Sequence, residues 1–284
     1  MKVKVLKPYG LCPGVEYVLK ILDEIISKHG GEKIYCVGDL VHNQEVINFV
    51  NSKGVIVLSG NKAKLIDEIE SGVVVFPAHG TDDDTIKKAS EKGLIVYNAV
   101  CPFVKKEMED ISKYIDQGYE VIFIGVQGHD EANAVMSLSN TKIYLITKKE
   151  DLEKLENLSE KIVVVNQTTL SVENLKQIHS FIAKKFPNAK FENEVCNSSR
   201  IRQSVLNNEK EDFDLVLVIG DKNSNNTQTL FKIAKAKYKN VENITSSDKI
   251  DKAKLESVNS VLVVSGASVM KKRVDEIVEI IKKI

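Results

Sequence analysis

Cys12, Cys101 and Cys196 stand 89 and 95 residues apart in a chain of 284 residues. Each follows a short apolar run and opens a segment of helical period, and two are followed at once by proline, as Cys12-Pro13 and Cys101-Pro102. Proline at the first helical position sacrifices no hydrogen bond, so such thiols stand at helix N-termini. There the helix dipole and unsatisfied N–H groups favour thiolate, the form that binds metal. Cys-Pro is also a feature of iron-sulfur binding runs. A single cysteine of this kind is ordinarily core filler, but an evenly spaced trio implies a shared job. Cys36 lies inside Ile34-Tyr35-Cys36-Val37, has no counterpart elsewhere and reads as core. Three thiolates could hold zinc or an iron-sulfur cluster. Structural zinc closes its shell with a fourth Cys or His at short spacing, and the chain has no Cys-x-x-Cys or His-x-x-x-His pair. A [4Fe-4S] cluster on three cysteines keeps one iron open, to act as Lewis acid and electron donor together.

Polar residues recur at matching distances. His42 lies 30 residues beyond Cys12, His129 lies 28 beyond Cys101, and Ser224 lies 28 beyond Cys196. A second set, His79, Thr168 and Ser268, follows the same cysteines by 67, 67 and 72 residues. All six fall just past a strand-like run. An imidazolium beside a diphosphate gains a charge-assisted hydrogen bond. The third repeat offers neutral donors instead: Ser199, Ser224, Asn225, Asn226 and Ser268, whose hydroxyls and amides can cradle phosphate oxygens. Taken singly these are turn formers. Glu131, two residues after His129, would have a raised pKa beside a cluster and a diphosphate and could deliver a proton. Thr168 could relay that proton or orient a substrate hydroxyl. His29 and His179 lie on helix-like segments and read as structural.

The elements that must hold these residues alternate strand and helix. Apolar, β-branched runs occur at 3–6, 34–37, 55–58, 73–76, 95–100, 121–126, 143–146, 162–165, a short run ending at Val195, 215–219 and 261–264, each followed by an amphipathic segment. This is the pattern of α/β proteins with parallel sheets, in three repeats of roughly 92 residues. It predicts three small parallel-sheet α/β domains in a pseudo-threefold trefoil around one site, with boundaries at 14–100, 101–193 and 194–284. The third repeat ends in a helix from Lys271 to Ile284 without a closing strand, so the N-terminal strand within 1–13 should complete it. Ligands of such sheets collect beyond the carboxyl ends of the strands, where the polar residues lie.

Lys+Arg and Asp+Glu balance at 40 each, so no global field draws in nucleic acid or an anionic membrane. No apolar stretch approaches the ~18 residues of a membrane span, and the strand-like start is unlike an export signal. Four cysteines, none in a close pair, then suggest a reducing, cytoplasmic setting and argue against a disulfide framework.

The chain resembles the 4-hydroxy-3-methylbut-2-enyl diphosphate reductase family over nearly its whole length. The likeness rests on Gly10-Leu11-Cys12-Pro13-Gly14-Val15, His42-Asn43, Ala78-His79-Gly80, Cys101-Pro102, Gly128-His129-Asp130-Glu131, Gln167-Thr168-Thr169-Leu170-Ser171-Val172, Arg202-Gln203, Lys222-Asn223-Ser224 and Gly266-Ala267-Ser268. The resemblance implies a trefoil around a [4Fe-4S] cluster and the last step of the methylerythritol phosphate pathway, yielding isopentenyl and dimethylallyl diphosphate. It implies that the substrate oxygen meets the open iron, that Glu131 supplies the proton with which water leaves, and that ferredoxin or flavodoxin supplies electrons singly. By the same likeness His42, His79, His129, Ser199, Ser224, Asn226 and Ser268 hold the diphosphate. The chain departs from the family pattern at Ser198-Ser199 (usually Ala-Thr), Asn225 (Ser), Val269-Met270 (Thr-Pro or Ala-Pro) and 133–137, which lacks a customary Gly-Thr; these changes touch diphosphate contacts and the wall beside Glu131.

Two other classes compete. A non-catalytic iron-sulfur or zinc sensor explains the cysteines but leaves the histidines and Glu131 idle. A nucleotide-sugar enzyme on doubly wound sheets needs a Gly-x-Gly-x-x-Gly or P-loop signature, which is absent.

Overall fold

The computed structural model describes residues 1–156, 158–192 and 195–284. In chain order the described strands are β1 (Lys2–Val5), β2 (Ile34–Val37), β3 (Val55–Leu58), β4 (Val73–Phe76), β5 (Ile95–Asn98), β6 (Glu120–Ile124), β7 (Ile143–Ile146), β8 (Ile162–Asn166), β9 (Lys190–Phe191), β10 (Leu215–Ile219), β11 (Val241–Ile244) and β12 (Ser260–Ser265). They form three four-stranded sheets, β3-β2-β4-β5, β7-β6-β8-β9 and β11-β10-β12-β1, with every pairing parallel. The strand order is the same in all three. β1 takes the fourth place in the third sheet, with Lys2 opposite Ser260 and Val5 opposite Val263. The fold is thus α/β with three parallel sheets.

Central strands are apolar along their length because helices cover both faces. All of Val73–Phe76 is buried, as are Leu215–Ile219 and Ile162–Asn166. Burying each such aliphatic or aromatic side chain contributes roughly 1.5–3 kcal/mol. Helices start where a side chain can take up a free N–H: Asp82 accepts from Thr85, Ser171 from Asn174 and Ser224 from Thr227. The helix Pro102–Asp116 starts with proline instead, directly after Cys101.

Two differences from the sequence expectation stand out. β11 has no counterpart among the expected runs. The short run assigned to Val195 is found earlier, at Lys190–Phe191, where both residues are exposed on an edge pairing with β8. The expected boundary between the second and third domains, at 193/194, lies outside the described residues. By packing, the chain divides into two compact units, one of 17–40 with 50–196 and the other of 1–16, 41–49 and 197–284. The first holds two of the sheets, the second holds the sheet containing β1.

Candidate active site

In the unit formed by 17–40 and 50–196, Cys101, Cys196, His79, His129, Glu131 and Thr168 all sit past strand ends. The cysteine amides are fixed in the same way. Cys101 N donates to Ala78 O at 2.9 Å and Cys196 N to Thr168 O at 3.0 Å. Each thiol thus hangs at the entry to a helix, tied to the loop that follows the neighbouring central strand.

Glu131 lies in the first turn of the short helix Asp130–Met136 and is fully buried. Thr168 grips its carboxyl from both sides: the Thr168 amide donates to Oε1 at 2.6 Å and the hydroxyl to Oε2 at 3.0 Å. Burial pushes the Glu131 carboxyl up to about 7, and the Thr168 donors pull against that rise. At neutral pH it is therefore divided between acid and base, as a general acid should be.

His129 caps the same helix. Its Nδ1 accepts from the Glu131 amide at 3.1 Å, so in the neutral ring Nε2 carries the hydrogen. The His79 and His129 rings meet edge to face with centroids 5.2 Å apart. The two loops that carry them are joined by Lys62, which donates to Gly80 O at 2.8 Å and pairs with Asp130 at 3.3 Å. Gly38 leaves room for that lysine stem, since a Cβ there would stand 2.7 Å from Lys62 Cε, and its φ of +98° suits glycine. Gln167, also buried, accepts from the Val126 amide at 2.9 Å and steadies the approach to His129.

In the unit formed by 1–16, 41–49 and 197–284 lie Cys12, His42, Ser199, Ser224, Asn225, Asn226 and Ser268. Cys12 repeats the pattern of the other two cysteines, its amide donating to Ala267 O at 2.8 Å, and its sulfur accepts from the Val15 amide at 3.4 Å. The turn before it is clamped by Arg202, which donates to Gly10 O at 2.7 Å. Ser199 donates to Asn226 Oδ1 at 2.6 Å. Ser224, Asn225 and Asn226 form the start of the helix Asn225–Lys237, whose Thr227 is wedged against β10 and β12. A Cβ on Gly220 or on Gly266 would stand 2.3 Å from Thr227 Oγ1, so glycine at both strand ends lets this helix start seat there. Asn43 caps the helix Gln44–Ser52 and donates to Ser268 O at 2.8 Å, next to His42. The Ser268 hydroxyl and the Asn225 amide nitrogen are buried without a protein partner among the described residues, as donors reserved for a ligand would be.

The amide bonds of the three cysteines put Thr168 in register with Ala78 and Ala267, one place before His79 and Ser268. Thr168 is thus the residue that holds the cysteine loop and the carboxyl together, and its equivalence to His79 by counting was off by one. Sequence reasoning missed Lys62 and Glu107, and carried Asn43 only as part of the His42-Asn43 motif, without a role. Glu107 carried a signal, since it falls between Val104 and Ile111 on the buried face of its helix.

Cys12, Cys101 and Cys196 are partly exposed whereas Cys36 is buried, with its thiol pushed up to about 12 by desolvation. Among the described residues no three His, Cys, Asp or Glu side chains close on a single metal ion. None of the described helices is long and apolar enough to cross a membrane.

The model of the LytB protein family matches residues 3–282. The 4-hydroxy-3-methylbut-2-enyl diphosphate reductase of Bacillus cytotoxicus is 35% identical over 274 residues, covering 94% of this chain and 86% of the relative. The solved E-1-hydroxy-2-methyl-but-2-enyl-4-diphosphate reductase of Plasmodium falciparum shares the fold, with a TM-score of 0.90 at 24% identity over 98% of this chain and 87% of that one. A second solved structure, of an (E)-4-hydroxy-3-methyl-but-2-enyl diphosphate reductase described as the terminal enzyme of the non-mevalonate pathway, aligns over 100% of both chains with a TM-score of 0.72 and 26% identity.

Proposed function

This chain belongs to the LytB protein family, and we infer that it reduces 4-hydroxy-3-methylbut-2-enyl diphosphate to isopentenyl and dimethylallyl diphosphate, the terminal step of the non-mevalonate pathway. The observation that carries the chemistry is Glu131, wholly buried, held by two Thr168 donors and poised at about 7. Loss of a hydroxyl as water needs a proton at the departing oxygen, and a carboxyl with this value can give one near neutral pH.

The donor set fits a thiolate-bound cluster. Three partly exposed thiols each stand at a helix start, tied by the amide to the loop after a central strand, and the Cys12 sulfur accepts a backbone N–H, which favours thiolate. Cys12, Cys101 and Cys196 would hold a [4Fe-4S] cluster, which supplies low-potential electrons and an open Lewis-acidic corner. The protein's own residues do the rest. Glu131 holds and gives the proton, and Thr168 fixes which way its carboxyl faces. His42, His79, His129, Ser199, Ser224, Asn225, Asn226 and Ser268 bind the diphosphate, with neutral His129 as an Nε2 donor. Lys62 keeps the His79 and His129 loops in step. Domains spanning 14–100, 101–193 and 194–284 with 1–13, a cytoplasmic setting, and ferredoxin or flavodoxin as electron donor complete the proposal. A sensor without turnover has no use for a buried carboxyl poised at neutrality.

The test is a viologen-coupled assay under argon with the hydroxylated diphosphate. Turnover by the wild type, with a loss of about 100-fold or more in Glu131→Gln at unchanged iron content, is expected from removal of a general acid. Near-normal turnover by that variant would take Glu131 out of the mechanism.

A further inference from the structure

Glu107 lies on the helix Pro102–Asp116, six residues beyond Cys101, and is 3% exposed. Among the described residues no donor group reaches either of its carboxyl oxygens. What faces it is the carboxyl of Glu131, side chain to side chain. Ionised carboxylates are acceptors only, so two of them in a dry site repel, and contact between them requires a proton in the middle. Burial, with the Glu131 charge second, holds Glu107 well above the ordinary carboxylate range. Cys196 also acts on Glu107, through charge, and Thr168 acts on Glu131 as described. Glu107 has no part in the assignments above.

We propose that Glu107 is a proton-storing carboxyl that reloads Glu131 within each turnover, so that the pair carries both protons the reduction consumes. The idea rests on the reading of Glu131 as the acid. In the reaction one carbon–oxygen bond breaks, two electrons enter from a one-electron carrier, and two protons are taken up. The first proton, from Glu131, leaves with the hydroxyl oxygen as water. The allylic fragment, now holding the electron pair, needs the second to form its new carbon–hydrogen bond. After the first transfer Glu131 is a carboxylate beside a protonated Glu107. The Glu107 proton passes to Glu131, which is then charged for the second delivery, and Glu107 is left ionised until the pair regains two protons from solvent on product release. Glu107 acts through Glu131 and needs no contact with substrate.

The pH profile of kcat separates this role from mere packing. In the wild type both carboxyls must be protonated, so the alkaline limb should approach a logarithmic slope of about −2. Glu107→Gln keeps the volume and a donor but stores no proton; it should bring the slope to about −1 and lower kcat about tenfold, and Glu107→Asp should restore both. Infrared difference spectra of the cluster-loaded wild type, taken across the whole alkaline limb of its kcat profile, should show two protonated-carboxyl bands titrating, and one in Glu107→Gln. A reduced kcat with the slope unchanged would overturn the proposal, as would a single band in the wild type, which decides the matter alone where the variant does not fold. A wild type inert toward the hydroxylated diphosphate would instead remove the functional reading, while the infrared count still reports on the pair.

Discussion

Replacing Thr168 by valine keeps the side-chain shape and the backbone N–H but deletes the hydroxyl that donates to Glu131 Oε2 at 3.0 Å. The amide bond at 2.6 Å remains, so the carboxyl should keep its place. The lost interaction is a buried hydrogen bond to a charged acceptor, worth about 1.5–3 kcal/mol. It favours the ionised form, so its loss raises the Glu131 pKa. At about 1.4 kcal/mol per unit the rise is about one to two units, taking the carboxyl from about 7 toward about 8 or 9. The measurement is kcat against pH in the viologen-coupled assay. The alkaline limb should move up by at least about one unit, and kcat on the acid side should fall, because a weaker acid gives its proton less readily. An alkaline limb that stays in place, or that moves down, would show that the Thr168 hydroxyl does not tune Glu131.

Serine at Cys12, Cys101 or Cys196 should abolish most iron binding, whereas Cys36→Ser should retain about four irons per chain, because that buried thiol donates to Gly38 O within the first sheet; iron analysis after anaerobic purification decides. Glu131 also couples stability to pH. Its folded pKa is raised above the ordinary 4.5, so its contribution is present in full below about 4.5 and is lost as pH rises through about 7, by up to about 3 kcal/mol. Thermal denaturation of cluster-loaded Glu131→Gln should accordingly show a larger gain in Tm over wild type at about pH 8 than at about pH 5. Gly266→Ala should lose about 1–3 kcal/mol through the clash with Thr227 Oγ1, and adding Thr227→Ala should recover part of the lost Tm.

Strand-helix alternation was legible because the central strands are buried on both faces and read as continuous apolar runs, as in Val73-Val74-Val75-Phe76. The closing of the third sheet by the N-terminal strand was legible for a different reason: the last repeat lacked a fourth strand. β11 escaped because Val241-Glu242-Asn243-Ile244 is polar at its centre; it is held at the sheet edge partly by Asn243, whose side chain donates to Val218 O and Gly220 O at 2.9 Å each. Side chains that act by reaching between loops are hidden from spacing arguments. Lys62 lies on a helix far along the chain from Asp130, and a lysine on a charged helix reads as solvated. The one-place slip at Thr168 has a similar cause, since counting from the cysteine cannot see which carbonyl its amide chooses.

β1 and its hydrogen-bonding neighbour β12 are separated by more than 250 residues of chain, with Lys2 opposite Ser260. Until β12 has been made, Lys2–Val5 lacks its pairing strand and Cys12 lacks the Ala267 carbonyl that anchors its amide. The loops anchoring Cys101 and Cys196, by contrast, precede those cysteines in the chain. The long-range pairing is slow to form for entropic reasons, so Cys12 takes its final place late in folding, and a chain truncated before β12 would lack that anchor.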